Sequence, residues 1–194
     1  MREMGFHVKV QHMSIIDRIN QADAWLLDHI FQPISDRLPE RLPAVDVGMS
    51  CQLGAILFYG ASIALMIIVG HMSLGDAMFN LLVWCVGLAF FVGINRARPL
   101  VKAGQANPLR PMLAGMRPLS IPFMLMAAWQ GADAPPNLVM ASWFMTLSDV
   151  VFVLGLYLIS CQPRPPSRRT VKNRRAVLTP LEGGLSGTSR REVI

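Results

Sequence analysis

Apolar residues along this chain gather into two pairs of long runs, and polar residues collect between and around them. From about Cys51 to Gly70 the sequence is almost continuously apolar, and a second run covers about Leu74 to Ile94. Each is close to the twenty or so residues needed to cross a bilayer as a helix. Only a few residues around His71 and Met72 separate them, which predicts a tight turn. A third run, 116–133, is weaker: its strongest part, Leu119 to Trp129, is short, and Pro122 interrupts its early turns. It reaches crossing length only if it starts at Met116 or Pro118, and a re-entrant segment is the alternative. The fourth run, 137–160, is clear. Its twelve Leu, Ile, Val and Phe residues contribute roughly −4 to −7 kcal/mol to insertion against about +3 for one central acid, so insertion wins.

Before the first run the pattern changes. From Ser14 to about Phe31, the residues Ile15, Ile16, Ile19, Ala22, Leu26, Leu27 and Ile30 recur at three- and four-residue steps, the signature of an amphipathic helix. Ser14 and Asp17 make an S-x-x-D helix start, and Pro33 is expected to end the helix. Asp17, Asp23 and Asp28 fall on its polar side and read as solvated. We expect this helix to pack on the cytoplasmic ends of the spans, with a membrane-surface or partner-docking role as the alternative. Residues 33–47 carry Pro33, Pro39 and Pro43 and read as a stiff linker. Residues 1–13 lack periodicity and are read as a flexible N-terminus. Because Met13 stands directly before the helix start, residues 1–12 are expected to be a dispensable extension.

Composition supports a bilayer. The 194 residues are 53% hydrophobic and only 15% charged, where soluble domains carry about a quarter charged residues. Charge then fixes an orientation. All eighteen Lys and Arg residues fall in three stretches: five before residue 42, five between Arg96 and Arg117, and eight from Arg164 to Arg191. Arg117 stands at the edge of the third run; none of the others lies in an apolar run, and none lies in the connection within either pair. Cations are retained on the cytoplasmic side, so both ends and the middle loop are expected there. If 116–133 did not cross, the fourth span would export the basic tail, so it is read as a crossing. The predicted fold is an all-α integral membrane four-helix bundle, 48–160, made of two transmembrane hairpins. An amphipathic cytoplasmic helix and linker (14–47) precede it, and a disordered basic cytoplasmic tail (161–194) follows. Without a eukaryotic sorting signal, the bacterial inner membrane is the expected location.

The net charge of +6 raises nucleic acid as a partner, but topology already explains the distribution of cations. Nucleic acid is therefore disfavoured. Arg164, Arg168, Arg169, Lys172, Arg174 and Arg175 form an acid-free cluster that anionic lipid or an acidic protein could contact. Cys51, Cys85 and Cys161 match no zinc spacing, and disulfides are not expected.

Asp149 is the one carboxylate deep in a span. Ser142, Thr146 and Asp149 stand at i, i+4 and i+7, one polar stripe, with Tyr59 and Asn80 at similar depth on the first hairpin. An ionised carboxylate is costly in lipid, so it should face other helices or water. This stripe is the candidate intramembrane polar site, read first as structural and otherwise as a proton- or cation-handling site. Ala141, Ser148 and Gly155 recur every seven residues on a neighbouring face and should let helices approach closely. His71, Met72 and Asp76 cluster without making a convincing metal site. No hydrolase, nucleotide-binding or metalloprotease motif occurs, so no catalytic residue, cofactor or metal is expected. The expected function is non-enzymatic: a multi-pass scaffold or accessory subunit, touching the bilayer and a protein partner or further copies of itself. A small oligomeric transporter or channel using Asp149 is the alternative.

Overall fold

The computed structural model describes residues 15–39, 41–132 and 134–164, and every regular element among them is helical. The flexible N-terminus, its Met13–Ser14 start and the basic tail from residue 165 onward lie outside the described residues.

α1 (Ile15–Leu26) runs into a π turn, Leu27–Phe31, and on into α2 (Gln32–Arg37). Pro33 therefore does not stop the helix. It lacks the N–H that would reach the carbonyl four residues back, and its ring crowds that carbonyl. The wider π turn accommodates this, with the Gln32 N–H bonding the Leu27 carbonyl five residues back. The helix ends at Leu38, whose backbone is extended.

Three helices are long and apolar enough to cross a membrane: α3 (Ala44–Ile68), α4 (Leu74–Ala97, prolonged by a 3-10 turn at Arg98–Leu100) and α7 (Val139–Ser160). α3 starts well before Cys51 because Pro43 caps it in an extended conformation and Ala44 to Ser50 continue it as helix. Ser73 caps α4: its hydroxyl accepts from the Asp76 N–H at 3.2 Å and donates to the Asp76 carboxylate at 2.6 Å. α5 (Leu109–Met112) is a single turn. α6 (Met116–Ala132) has 17 residues with Pro122 inside. At 1.5 Å per residue it rises about 26 Å, short of the ~30 Å hydrocarbon core.

α7 lies at the centre, packed most extensively on α3 and also on α6, while α4 packs on α3 and touches α7 through Phe90 and Phe152. Small residues set the α3–α7 distance. A side chain on Gly48 would lie 2.9 Å from the Ile159 nitrogen, and one on Gly155 would lie 2.9 Å from the Gly48 carbonyl. Along the same seam Ser62 donates to the Ala141 carbonyl and Ser148 to the Ala55 carbonyl, both at 2.8 Å. The Ala141, Ser148, Gly155 stripe thus faces α3. Gly60 makes room for Trp84 of α4, whose indole N–H donates to the Ile56 carbonyl at 2.9 Å.

Core packing is concentrated at one end, where α3 and α6 begin and α4 and α7 finish. One buried cluster joins Val45, Met49, Ile94, Leu109, Leu113, Leu156 and Ile159. The other lies beneath α1 and its π turn: Leu27 and Phe31 against Val153, Tyr157, Leu158 and Cys161. The face that α1 and α2 turn inward is Asp23, Leu27, Phe31 and Ser35, whereas Ile15, Ile19 and Ile30 are exposed.

Candidate functional site

Two polar constellations stand out, one at the packed end and one midway along the helices. The first is an ion pair closed off from solvent. Arg117, at the start of α6, sends Nη2 to Asp23 Oδ2 at 2.7 Å and Nε to both carboxylate oxygens at 3.2 Å. Its Nη1 donates to the Arg110 carbonyl at 2.8 Å. The Tyr157 hydroxyl donates to Asp23 Oδ1 at 2.8 Å, and the guanidinium lies 5.9 Å from the Tyr157 ring centroid. Both charged side chains are about 95% buried. Burying two charges is costly unless every remaining donor and acceptor is met, and here they are. Asp23 is thus not solvated, as its place on the polar side of α1 suggested.

Around this pair the N-terminal segment is fastened to the loop and the tail. Arg110 pairs with Asp28 at 2.7 Å, and Arg164 lies 3.6 Å from Asp36. Gln32 and Gln162 exchange side-chain-to-backbone bonds at 2.9 and 3.2 Å. Asn107 closes the end of α7: its Nδ2 donates to the Ile159 and Cys161 carbonyls at 2.7 and 2.8 Å, and its Oδ1 accepts from the Leu109 N–H at 3.0 Å. The last carbonyls of a helix have no partner within it, so a buried helix end needs such a cap. Beside it the Cys161 thiol is 1% exposed and donates to the Tyr157 carbonyl at 3.3 Å. Burial pushes its pKa up to about 12, an effect opposed by a hydrogen bond with Ser35.

The second constellation surrounds Asp149. It lines a slot of about 460 Å³ between α3, α4, α6 and α7, left because α4 and α6 do not pack together. Tyr59, Trp84, Phe90, Phe123 and Phe152 supply aromatic walls, with Gln52 and Ser148 deeper in and Gln130 on α6. A second hollow of about 270 Å³, bounded by Ser120 and Met124, also reaches Asp149. Most polar groups on the slot are engaged. The Gln52 amide donates to the Phe152 carbonyl at 2.9 Å, Ser148 to Ala55, and the Tyr59 hydroxyl to Asn80 Oδ1 at 3.0 Å. The Asp149 carboxylate has no hydrogen-bond or ion-pair partner among the described residues.

The residues singled out in the sequence are partly brought together. Asp149 and Tyr59 line the same slot, and Asn80 reaches it only through Tyr59, its own amide donating to the Asp76 carbonyl at 2.8 Å. Ser142 and Thr146 do not join them. Ser142 donates to the Gly131 carbonyl at 3.2 Å, and a side chain on Gly131 would fall 2.5 Å from Ser142 Oγ and 3.3 Å from Thr146 Oγ1. The i, i+4, i+7 stripe therefore splits between a helix contact with α6 and the slot. Of the tail cations, Arg164 meets Asp36, while Arg168, Arg169, Lys172, Arg174 and Arg175 lie outside the described residues. Among the described residues no group of three or more His, Cys, Asp or Glu could hold a metal ion.

The meeting of Asp23, Arg117 and Tyr157 and the capping role of Asn107 escaped the sequence reading, which took Asp23 as solvated and Arg117 as a loop cation. Their one local signal is the four-residue spacing of Asp23, Leu27, Phe31 and Ser35, overshadowed by the longer stripe through Ile15, Ile19, Ala22 and Leu26. No family model, curated protein or solved structure matches the chain.

Proposed function

We propose that the protein is a non-enzymatic subunit of a bacterial inner-membrane assembly. In this reading it crosses the bilayer four times as a helix bundle, with both termini cytoplasmic and α1–α2 as a rigid cytoplasmic layer. The observation that carries the reading is the fastening of that layer. Asp23, Asp28 and Asp36 are each held by an arginine from the middle loop, the start of α6 or the tail. A buried ion pair of this quality fixes one arrangement rather than adding much net stability, which suits a surface that must be presented in one shape. Three apolar helices and the retained cations support the topology. α6 then crosses as a short span, shielded along one side by α7.

Purification in mild detergent tests the assignment. Wild-type protein should retain a stoichiometric partner that cross-links to α1 or α2 and is lost from Arg117→Ala. A monodisperse monomer with no cross-linked partner in membranes overturns it.

A second reading, a small oligomeric transporter or channel, is favoured by the free carboxylate of Asp149 in the slot. Reconstituted flux should then fall on Asp149→Asn, and flux indifferent to that change removes the residue from any pathway.

A further inference from the structure

We propose that the slot between α4 and α6 binds a lipophilic organic cation, with Asp149 as its counter-charge. The inference goes beyond the subunit assignment, because it concerns a site inside a single chain and needs no partner.

Charge complementarity comes first. Among the residues lining the slot, Asp149 is the one charged side chain, and no Lys, Arg or His accompanies it. Its carboxylate has no partner among the described residues. Gln52 and Ser148 already donate to helix carbonyls and Tyr59 to Asn80, so none of these three neighbours is engaged with Asp149. A bound cation supplies what the protein itself does not.

The walls then narrow the class of cation. A hard metal ion would ask for about six oxygen ligands, and the slot offers one carboxylate with few others free. Aromatic rings, by contrast, attract a weakly hydrated organic cation through their faces. Tyr59, Trp84, Phe90, Phe123 and Phe152 contribute one each, from all four helices. The volume of about 460 Å³ fits an organic molecule and lies within the range of ~300–1,000 Å³ found for such sites. Few contacts join α4 and α6; on the proposed topology the gap between them would face lipid, the route by which an apolar cation would reach Asp149.

Tetraphenylphosphonium and tetraphenylborate are matched in shape and opposite in charge, which makes them a direct probe. Binding of each to the purified full-length protein in nanodiscs is measured by equilibrium dialysis. Three variants accompany the wild type: Asp149→Asn, Asp149→Glu, and Gly87→Phe. Gly87 lines the slot on α4, and a side chain there meets nothing within 4 Å, so phenylalanine obstructs the space without touching the charge. The phosphonium should bind saturably, one per chain, and the borate should not. Affinity should fall at least tenfold in Asp149→Asn and Gly87→Phe and persist in Asp149→Glu. If Asp149→Asn does not purify as a folded protein, Gly87→Phe and the borate control decide the matter. Equal binding of the two ions, undiminished affinity in either blocking variant, or no saturable binding overturns the proposal. Co-purification of a partner is unaffected by these results, so the two claims fail separately.

Discussion

Tyr157 donates its phenolic proton to the carboxylate of Asp23, 134 residues earlier in the chain, at 2.8 Å. Arg117 grips that carboxylate from the other side, and Phe31 stacks on the Tyr157 ring with centroids 4.5 Å apart. The N-terminal helix is held to the end of α7 by one polar contact inside an apolar one. Removing either charged partner leaves the other buried and alone. Asp23→Ala or Arg117→Ala should therefore cost about 3–5 kcal/mol of stability, measured by denaturation in detergent. Tyr157→Phe should cost about 1.5–3 kcal/mol, typical for a lost hydrogen bond to a charge. Asp23→Leu combined with Arg117→Met should be milder than either alanine variant, since it removes both charges together.

Asn107 tests how the end of α7 is closed. Asn107→Ala leaves the Ile159 and Cys161 carbonyls without their side-chain donor. Each such loss costs about 1–3 kcal/mol when the group stays buried. Hydrogen exchange should accelerate in residues 156–162 while α3 and the distal half of α7 keep their protection. Unchanged exchange there would mean that the cap is dispensable.

The glycine contact between α3 and α7 makes a steric prediction. Gly155→Val places carbon against the Gly48 carbonyl and the Gln52 amide nitrogen. Overpacking of this kind costs about 1–3 kcal/mol or more. Gly93→Val on α4, where a side chain meets nothing within 4 Å, should be far milder. Comparing the thermal unfolding of the two variants checks the assignment of the close face.

Cys161 gives a pH-dependent signal. Its thiol is raised from an ordinary 9.0 to about 12 by burial, so the folded protein holds the proton over an interval in which the unfolded chain has released it. The associated stabilisation is fully present below about pH 9 and is lost progressively as pH rises towards 12. Maleimide at pH 8 should leave Cys161 unmodified in the native protein. It should modify Cys161 in Arg117→Ala if loss of the ion pair frees α1 and α2 from the bundle end. Labelling of native wild-type Cys161 at the rate of a free thiol contradicts the packing.

Much of the helix layout was legible because a long apolar run needs no partner to be recognised. α3, α4 and α7 follow their runs closely, although α3 begins earlier because a capping proline, not hydropathy, sets its start. The inward face of α1 was not legible. Periodicity favoured the isoleucines, yet the stripe containing Asp23 is buried because Arg117, 94 residues away, neutralises it. Pro33 misled for a related reason: a π turn absorbs a proline that would otherwise break the helix. Asp149 was found by its depth alone, but its separation from Ser142 and Thr146 depends on Gly131, a feature of the facing helix that no local spacing on α7 encodes.

The four-span topology rests on α6, the helix too short to be counted a span by length. Single cysteines at Ala134 and at Ala103, introduced into a chain without its native cysteines, can be labelled by an impermeant maleimide in intact spheroplasts. We predict that Ala134→Cys labels from outside and Ala103→Cys only after lysis. Protection of both positions until lysis would place the two ends of α6 on one side and contradict the bundle.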